Sequence, residues 1–442
     1  MAKTFDLILK GGVVVNQDGE AARDVGVTKG VIAEIGNLGA ASAGETIDCR
    51  GLHVLPGVID TQVHFREPGP THKEDLESGA LSAVMGGVTA VFEMPNTAPL
   101  TITNATVEDK LARAKGRMHC DHAFFVGATH HNPRDLPELE RMPGVCGVKI
   151  FMGASTGDLL VEDDAGVRDV LKNGFRRVAI HSEDEFILRE NRRLAREGDW
   201  TSHPEVPSVE TAGSSTRRLI TLARETRRRI HVLHVTTAEE APILAAAKDI
   251  ATAEVTPQHL TLEAPDCYLR LKGKAQMNPP IRERRHRDGL WHGLQQGVFD
   301  VIGSDHAPHT LEEKAKPYPL SPSGMPGVQT LVPVMLNHVA EGRLTLARFV
   351  DLVCHGPQRI FGIAGKGRLA IGYDADFTVV DLKRRETITD AWSRSRCGWT
   401  PFAGMSVTGW PVGTIIRGRR VMWENTLVSP SLGLPVRFQE TL

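Results

Sequence analysis

The chain has 442 residues, 41% of them hydrophobic, with 52 Lys and Arg against 54 Asp and Glu for a net charge of −2. That is enough apolar sequence for a large core, more than one small domain needs. The balanced charge leaves no electrostatic footprint for nucleic acid or an acidic membrane surface, so a small neutral or anionic substrate fits better than a polyanion.

Residues 5–55 alternate short β-rich runs with Gly turns, in FDLILKGGVVV, DVGVTKGVIAEIG and ETIDCRGLHVLPG. Such spacing predicts small antiparallel strands. The opening MAKTFDLILKGGVVV lacks a signal-peptide core, and no run approaches the roughly 20 apolar residues of a membrane span, so a cytoplasmic location is expected. Matching β-rich runs return near the other end, in GRLAIGYDADFTVVDL and GTIIRGRRVMW. The termini are therefore expected to meet in one small β domain, a sandwich built from residues 1–55 and 365–442, around a central domain spanning 56–364.

In that central part, apolar runs alternate with helical segments. The runs are VLPGVID, TAVFEMP, HAFFVGA, GVKIFMG, RVAIHSE, IHVLHVT, TAEVTP and DVIGSDHAP; KEDLESGALSAVMGG and ETAGSSTRRLITLARETRRR carry helical spacing. Eight repeats over about 250–300 residues predict an α/β fold of the (β/α)8 TIM-like barrel type, with a doubly wound open sheet as the competitor. Polar residues favour the barrel. Asp60, Gln62, His64, Asn96, Lys149, His181, His234, His259 and Asp305 all fall at or just past the C-terminal ends of these runs, where a barrel assembles its active site.

Each of these residues also has an ordinary reading. Gln62 and His64, two apart on a strand, point to one side and can share a metal ion, or form a plain polar pair. Lys149 inside an apolar strand must snorkel, find a partner or lose its charge; carbamylation by CO2 would turn it into an anionic oxygen donor. His231 and His234 face opposite ways on strand alternation, leaving His234 for the barrel mouth beside His181. Asp305 in GSDHAPH can ligate a metal and exchange a proton, or cap the next helix. Taken together, metal-capable residues on five strands at one end suit Zn2+ or a similar borderline ion. Six scattered cysteines without a C-x-x-C pair are expected to be reduced thiols. The polar, Pro-rich HTLEEKAKPYPLSPSG after Asp305 is either a mobile loop or a static surface loop.

The motifs PGVIDTQVHFREPGPTHKED, EMPNTAPLT, GVKIFMG, HSED, HVLHVTT, MNPPIRE and GSDHAPH resemble those of the dihydroorotases, a cyclic amidohydrolase group, across nearly the whole chain. Dihydropyrimidinases and hydantoinases share the barrel motifs without the Arg of FREPG; allantoinases share more. The resemblance implies reversible, zinc-dependent hydrolysis of dihydroorotate to N-carbamoyl-aspartate in pyrimidine biosynthesis. It assigns His64, Lys149 (as a CO2-derived carbamate), His181, His234 and Asp305 to one or two Zn2+ ions, and Asp305 to proton transfer. Arg66 and Asn96 fall to the substrate carboxylate, with His309 among the substrate-binding residues near the same end, and Asn278 to the ring. A homodimer and an aspartate carbamoyltransferase partner are compatible with it. Two positions depart from the pattern: Gln62 and Gln258 stand where histidines are expected. The alternatives are a catalytically silent scaffold of aspartate carbamoyltransferase, or an allantoinase or other cyclic-imide hydrolase.

Overall fold

The computed structural model describes residues 3–154 and 157–441. Eight strands pair in parallel in sequence order: β1 (Val58–Val63), β2 (Val88–Glu93), β3 (Asp121–Gly127), β4 (Val145–Phe151), β5 (Val178–His181), β6 (Ile230–Val232), β7 (Ala251–Val255) and β8 (Val301–Ile302). They are almost wholly buried, as strands covered by helices outside and side chains inside must be. The ring closes at β8 and β1: Val63 bridges His306, the His64 amide donates to the His306 carbonyl at 2.7 Å, and the Ser304 amide donates to the Asp60 carboxylate at 3.0 Å.

Two helices illustrate how the outer layer is punctuated. Leu76–Met85 starts from an Asp75/Ser78 capping box, and Val209–Thr226 from Ser208, whose side chain accepts the Thr211 amide. Each cap satisfies an amide that the helix itself leaves unpaired.

The run VLPGVID does not form one strand. His53–Pro56 belongs to the flanking sheet, and the barrel begins at Val58. Between them, a Cβ on Gly57 would lie 2.3 Å from Thr89 Oγ1, so only glycine passes this close.

Both termini build that flanking sheet of nine strands, its halves joined where His53–Pro56 pairs antiparallel with Phe377–Val380. Leu7, Val14, Val25, Ile32, Phe377, Val379, Trp410 and Ile415 fill its core. One expectation needs correction: the N-terminal strands are not all antiparallel. Thr4–Asn16 pairs parallel with both Ser42–Asp48 and His53–Pro56. Ser42–Asp48 runs beside Thr4–Lys10, and after a four-residue break His53–Pro56 continues in the same direction beside Val13 and Val14, so both pair parallel with the first strand.

Beneath the barrel, Lys366 joins the two sheets. Its ammonium lies 2.5 Å from Asp121 and Asp376 and 3.1 Å from Asp374, while Arg417 meets Asp121 at 2.6 Å. Burial alone would lower the Lys366 pKa, but the surrounding carboxylates hold it above the usual lysine value. All six cysteines are buried and unpaired. No helix among the described residues is long and apolar enough to cross a membrane.

Candidate active site

A cleft with about 540 Å³ of open space lies at the C-terminal ends of the strands, lined by Gln62, His64, Arg66, Asn96, Lys149, His181, His234, Asn278 and Asp305, with Ser323 and Gly324 on one wall. The fold thus gathers nine of the ten residues put forward for the metal or the substrate. The tenth, His309, stands behind Arg66, its Nε2 3.3 Å from the guanidinium.

Short strands set the positions of two of these groups. β6 ends at Val232 and β8 at Ile302, so His234 and Asp305 lie beyond the ladder, at φ +36° and +45°. Left-handed backbone is costly for residues with a Cβ and persists where the surroundings demand it. His234 therefore reaches the cleft through this turn, not through simple strand alternation. His231 points elsewhere, its Nδ1 2.9 Å from the Thr252 hydroxyl.

Asp305 is the meeting point. Its Oδ1 accepts the Gln62 amide Nε2–H at 3.0 Å and lies 3.2 Å from His64 Nε2. His64 donates from Nδ1 to Asn96 Oδ1 at 2.8 Å, and burial lowers its pKa, so the ring is neutral and Nε2 carries a lone pair. Two acceptors then face each other, an arrangement that asks for a cation between them. On the other side, His181 and His234 pack edge to face with centroids 4.6 Å apart. Burial brings the His181 pKa down to about 3, so the neutral ring donates Nε2–H to Glu183 at 2.7 Å and keeps Nδ1 free as a donor atom.

Lys149 projects from β4 into the same space. Its Nζ is buried without a hydrogen-bond partner, 4.3 Å above the Phe151 ring, and burial brings its pKa down to about 7. A neutral amine is the form that reacts with CO2. His234 Nδ1 and Gln62 Oε1 are likewise buried and unpartnered. Imidazole nitrogens, a carboxylate and an orphaned amine fit a borderline divalent ion such as zinc. Another group, His130, Glu162 and Asp163, brings its donor atoms within 4.8 Å of one another, but none of the three lines the cleft.

Several contributors carried no signal in the sequence. Glu183 lies within HSED but acquires its partner only through the fold. Glu254 accepts from the Thr61 hydroxyl at 2.9 Å, and burial raises its pKa to about 8; Asp60, already noted at a strand end, is likewise raised by burial to about 7. Lys314 donates to the carbonyls of Pro322, Gly324 and Gln276 at 2.6, 2.8 and 2.9 Å. That cage ties the Pro-rich loop down as a wall of the cleft. Its spacing in the sequence showed only a polar loop. Of the residues noted beside the main motifs, His259 serves structure: its Nε2 meets the Pro279 carbonyl at 3.0 Å. Gln258 donates to the Ser304 carbonyl at 2.7 Å, on the seam that carries Asp305.

Known proteins share this architecture and sequence. Residues 53–421 match the Amidohydrolase family. A dihydroorotase of Halobacterium salinarum is 37% identical, covering 90% of this chain and 94% of that protein. One from Bacillus licheniformis is 34% identical, covering 95% and 99%. Among solved structures, the L-hydantoinase (dihydropyrimidinase) of Arthrobacter aurescens superposes with a TM-score of 0.93 at 29% identity, covering 98% of this chain and 99% of that one. The chain belongs to the amidohydrolase family, in its dihydroorotase branch.

Proposed function

We propose that this chain is a dihydroorotase, a metal-dependent cyclic amide hydrolase that opens dihydroorotate to N-carbamoyl-aspartate and runs the condensation in reverse. The observation that carries the reading is the pairing, in one cleft, of a cationic end at Arg66 with the His, Asp and Lys donor set around Asp305. Dihydroorotate has the matching polarity, a carboxylate on one side and a ring imide on the other.

His64, His181, His234 and Asp305, with Lys149 as a carbamate, would hold one or two zinc ions. Such an ion supplies Lewis-acid polarisation of a carbonyl and lowers the pKa of water. Arg66 grips the substrate carboxylate with the end of its guanidinium, the Nε being committed to the Pro308 carbonyl at 3.3 Å. Asn96 fixes the His64 ring through its Oδ1 and keeps an amide N–H for the carboxylate. Asn278, its Oδ1 buried without a partner, is placed for a ring N–H. As water adds to the imide carbonyl, Asp305 Oδ2 takes a proton and delivers it to the ring nitrogen as the C–N bond breaks. Oδ1, held by Gln62, keeps the carboxylate oriented.

Gln62 weakens the donor set, since a carboxamide binds zinc less well than imidazole, but five other donors and Arg66 remain. That retention favours an enzyme over a silent scaffold, which has no need of them. The decisive experiment measures metal per chain and dihydroorotate hydrolysis on one sample purified without chelator. Bound zinc with turnover supports the proposal. No metal and no turnover, even with added zinc and bicarbonate, sinks it. Hydrolysis of allantoin or an uncarboxylated hydantoin in preference to dihydroorotate transfers the site to another cyclic-imide substrate.

A further inference from the structure

His309 stands among charged groups from two loops. Lys73, in the loop after β1, places its ammonium 3.0 Å from Nδ1. The opposite nitrogen, Nε2, lies 3.0 Å from the Ser323 carbonyl and 3.3 Å from the Arg66 guanidinium. Glu313 approaches Nδ1 at 3.6 Å while pairing with Lys73 at 3.1 Å, and His72 reaches Glu313 at 3.4 Å from outside. Lys314 is held nearby in its carbonyl cage.

An ammonium has donors and no acceptor, so Nδ1 must accept from Lys73. The ring proton then sits on Nε2, where the Ser323 carbonyl receives it. These two contacts define one tautomer. A second proton has no place. Burial and then Arg66, Lys73 and Lys314 oppose it, pushing the His309 pKa far below that of a free imidazole.

We propose that Lys73 is a positioning residue: by donating to His309 Nδ1 it locks the imidazole as the uncharged Nε2–H tautomer, which ties Ser323 into the cleft wall and leaves Arg66 to meet the substrate anion. The identity of that anion rests on the dihydroorotase reading; the state of the ring does not.

The test labels histidine with 15N and assigns His309 as the signal missing from His309→Gln. In the unaltered protein the signal should report a neutral Nε2–H ring that does not titrate between about pH 5 and 8. In Lys73→Met the single tautomer should be lost: Nδ1 no longer faces an ammonium, Glu313 lies 3.6 Å away to receive a proton from it, and an Nδ1–H signal should appear. For Lys73→Met the KM for dihydroorotate should rise about tenfold, while kcat changes less. Lys73→Arg, which keeps a cationic donor, should restore the single tautomer. An Nδ1–H or titrating His309 in the unaltered protein overturns the proposal, as does a Lys73→Met variant whose ring state and KM match those of the unaltered protein. Absence of turnover in the unaltered protein would defeat the dihydroorotase reading alone, since the NMR signal decides the role of Lys73 without catalysis.

Discussion

Replacing Arg66 with Met keeps the stem and removes the guanidinium, which isolates what the charge does. The Nε–H is spent on the Pro308 carbonyl at 3.3 Å, leaving the N–H groups at the tip free for two parallel bonds to a carboxylate. Hydrogen bonds to charged groups contribute about 1.5–3 kcal/mol each, so the pair accounts for about 3–6 kcal/mol. At about 1.4 kcal/mol per factor of ten, kcat/KM for dihydroorotate should fall by about 10²- to 10⁴-fold. Lys73 and Lys314 leave some positive charge nearby, which favours the lower half of that range. The assay compares kcat/KM for dihydroorotate and for dihydrouracil, the same ring without the carboxylate, at equal metal content. Loss confined to dihydroorotate is expected. A drop below tenfold, or an equal drop on both rings, refutes Arg66 as the carboxylate ligand.

Lys149→Ala should lose most bound metal and nearly all turnover, and the unaltered apo-protein should need bicarbonate as well as zinc to recover activity; a variant retaining most turnover excludes the carbamate. Gln62→His should raise the metal content per chain by elemental analysis, because imidazole is the stronger zinc donor; unchanged content means that Gln62 does not face a metal. Lys366→Met leaves three carboxylates with only Arg417 and Arg437 beside them and should cost about 3–5 kcal/mol in urea denaturation. The pH dependence has a defined sign. The folded pKa of Lys366 lies above the free value, so its stabilisation is fully present below about pH 10.4 and is withdrawn as pH rises through the folded value. Alkaline stability curves of the unaltered protein and Lys366→Met should therefore converge at high pH; parallel curves would contradict the assignment.

The strand ends were legible because a barrel places chemistry there by rule, and Gln62, His64, Lys149, His181 and Asp305 each sit on or next to an apolar run. Other features depended on information that no local window holds. Lys73 meets His309 across 236 residues, and only the closing of β8 on β1 brings their loops together. Glu183 lies two residues from His181, yet nothing in the string HSED says that the carboxylate turns back onto the ring. Lys314 looked like an ordinary loop lysine; its burial follows from the carbonyls that surround it. The parallel pairing of Thr4–Asn16 was hidden for a related reason, since β-rich spacing reports strands and not the path between them.

The seam between His53–Pro56 and Phe377–Val380 sets an order of events during synthesis. The N-terminal strands emerge first, but the partners of His53–Pro56 follow more than 300 residues later. At 5–20 residues per second the ribosome needs roughly 15–60 s to supply them. Through that interval the nascent sheet presents an open edge, the template on which strands of other chains add. The barrel can assemble in the meantime, and the flanking sheet is completed last. Overproduction at high temperature should therefore lose protein at the ribosome first, and slower, cooler synthesis with chaperones covering the early strands should recover it.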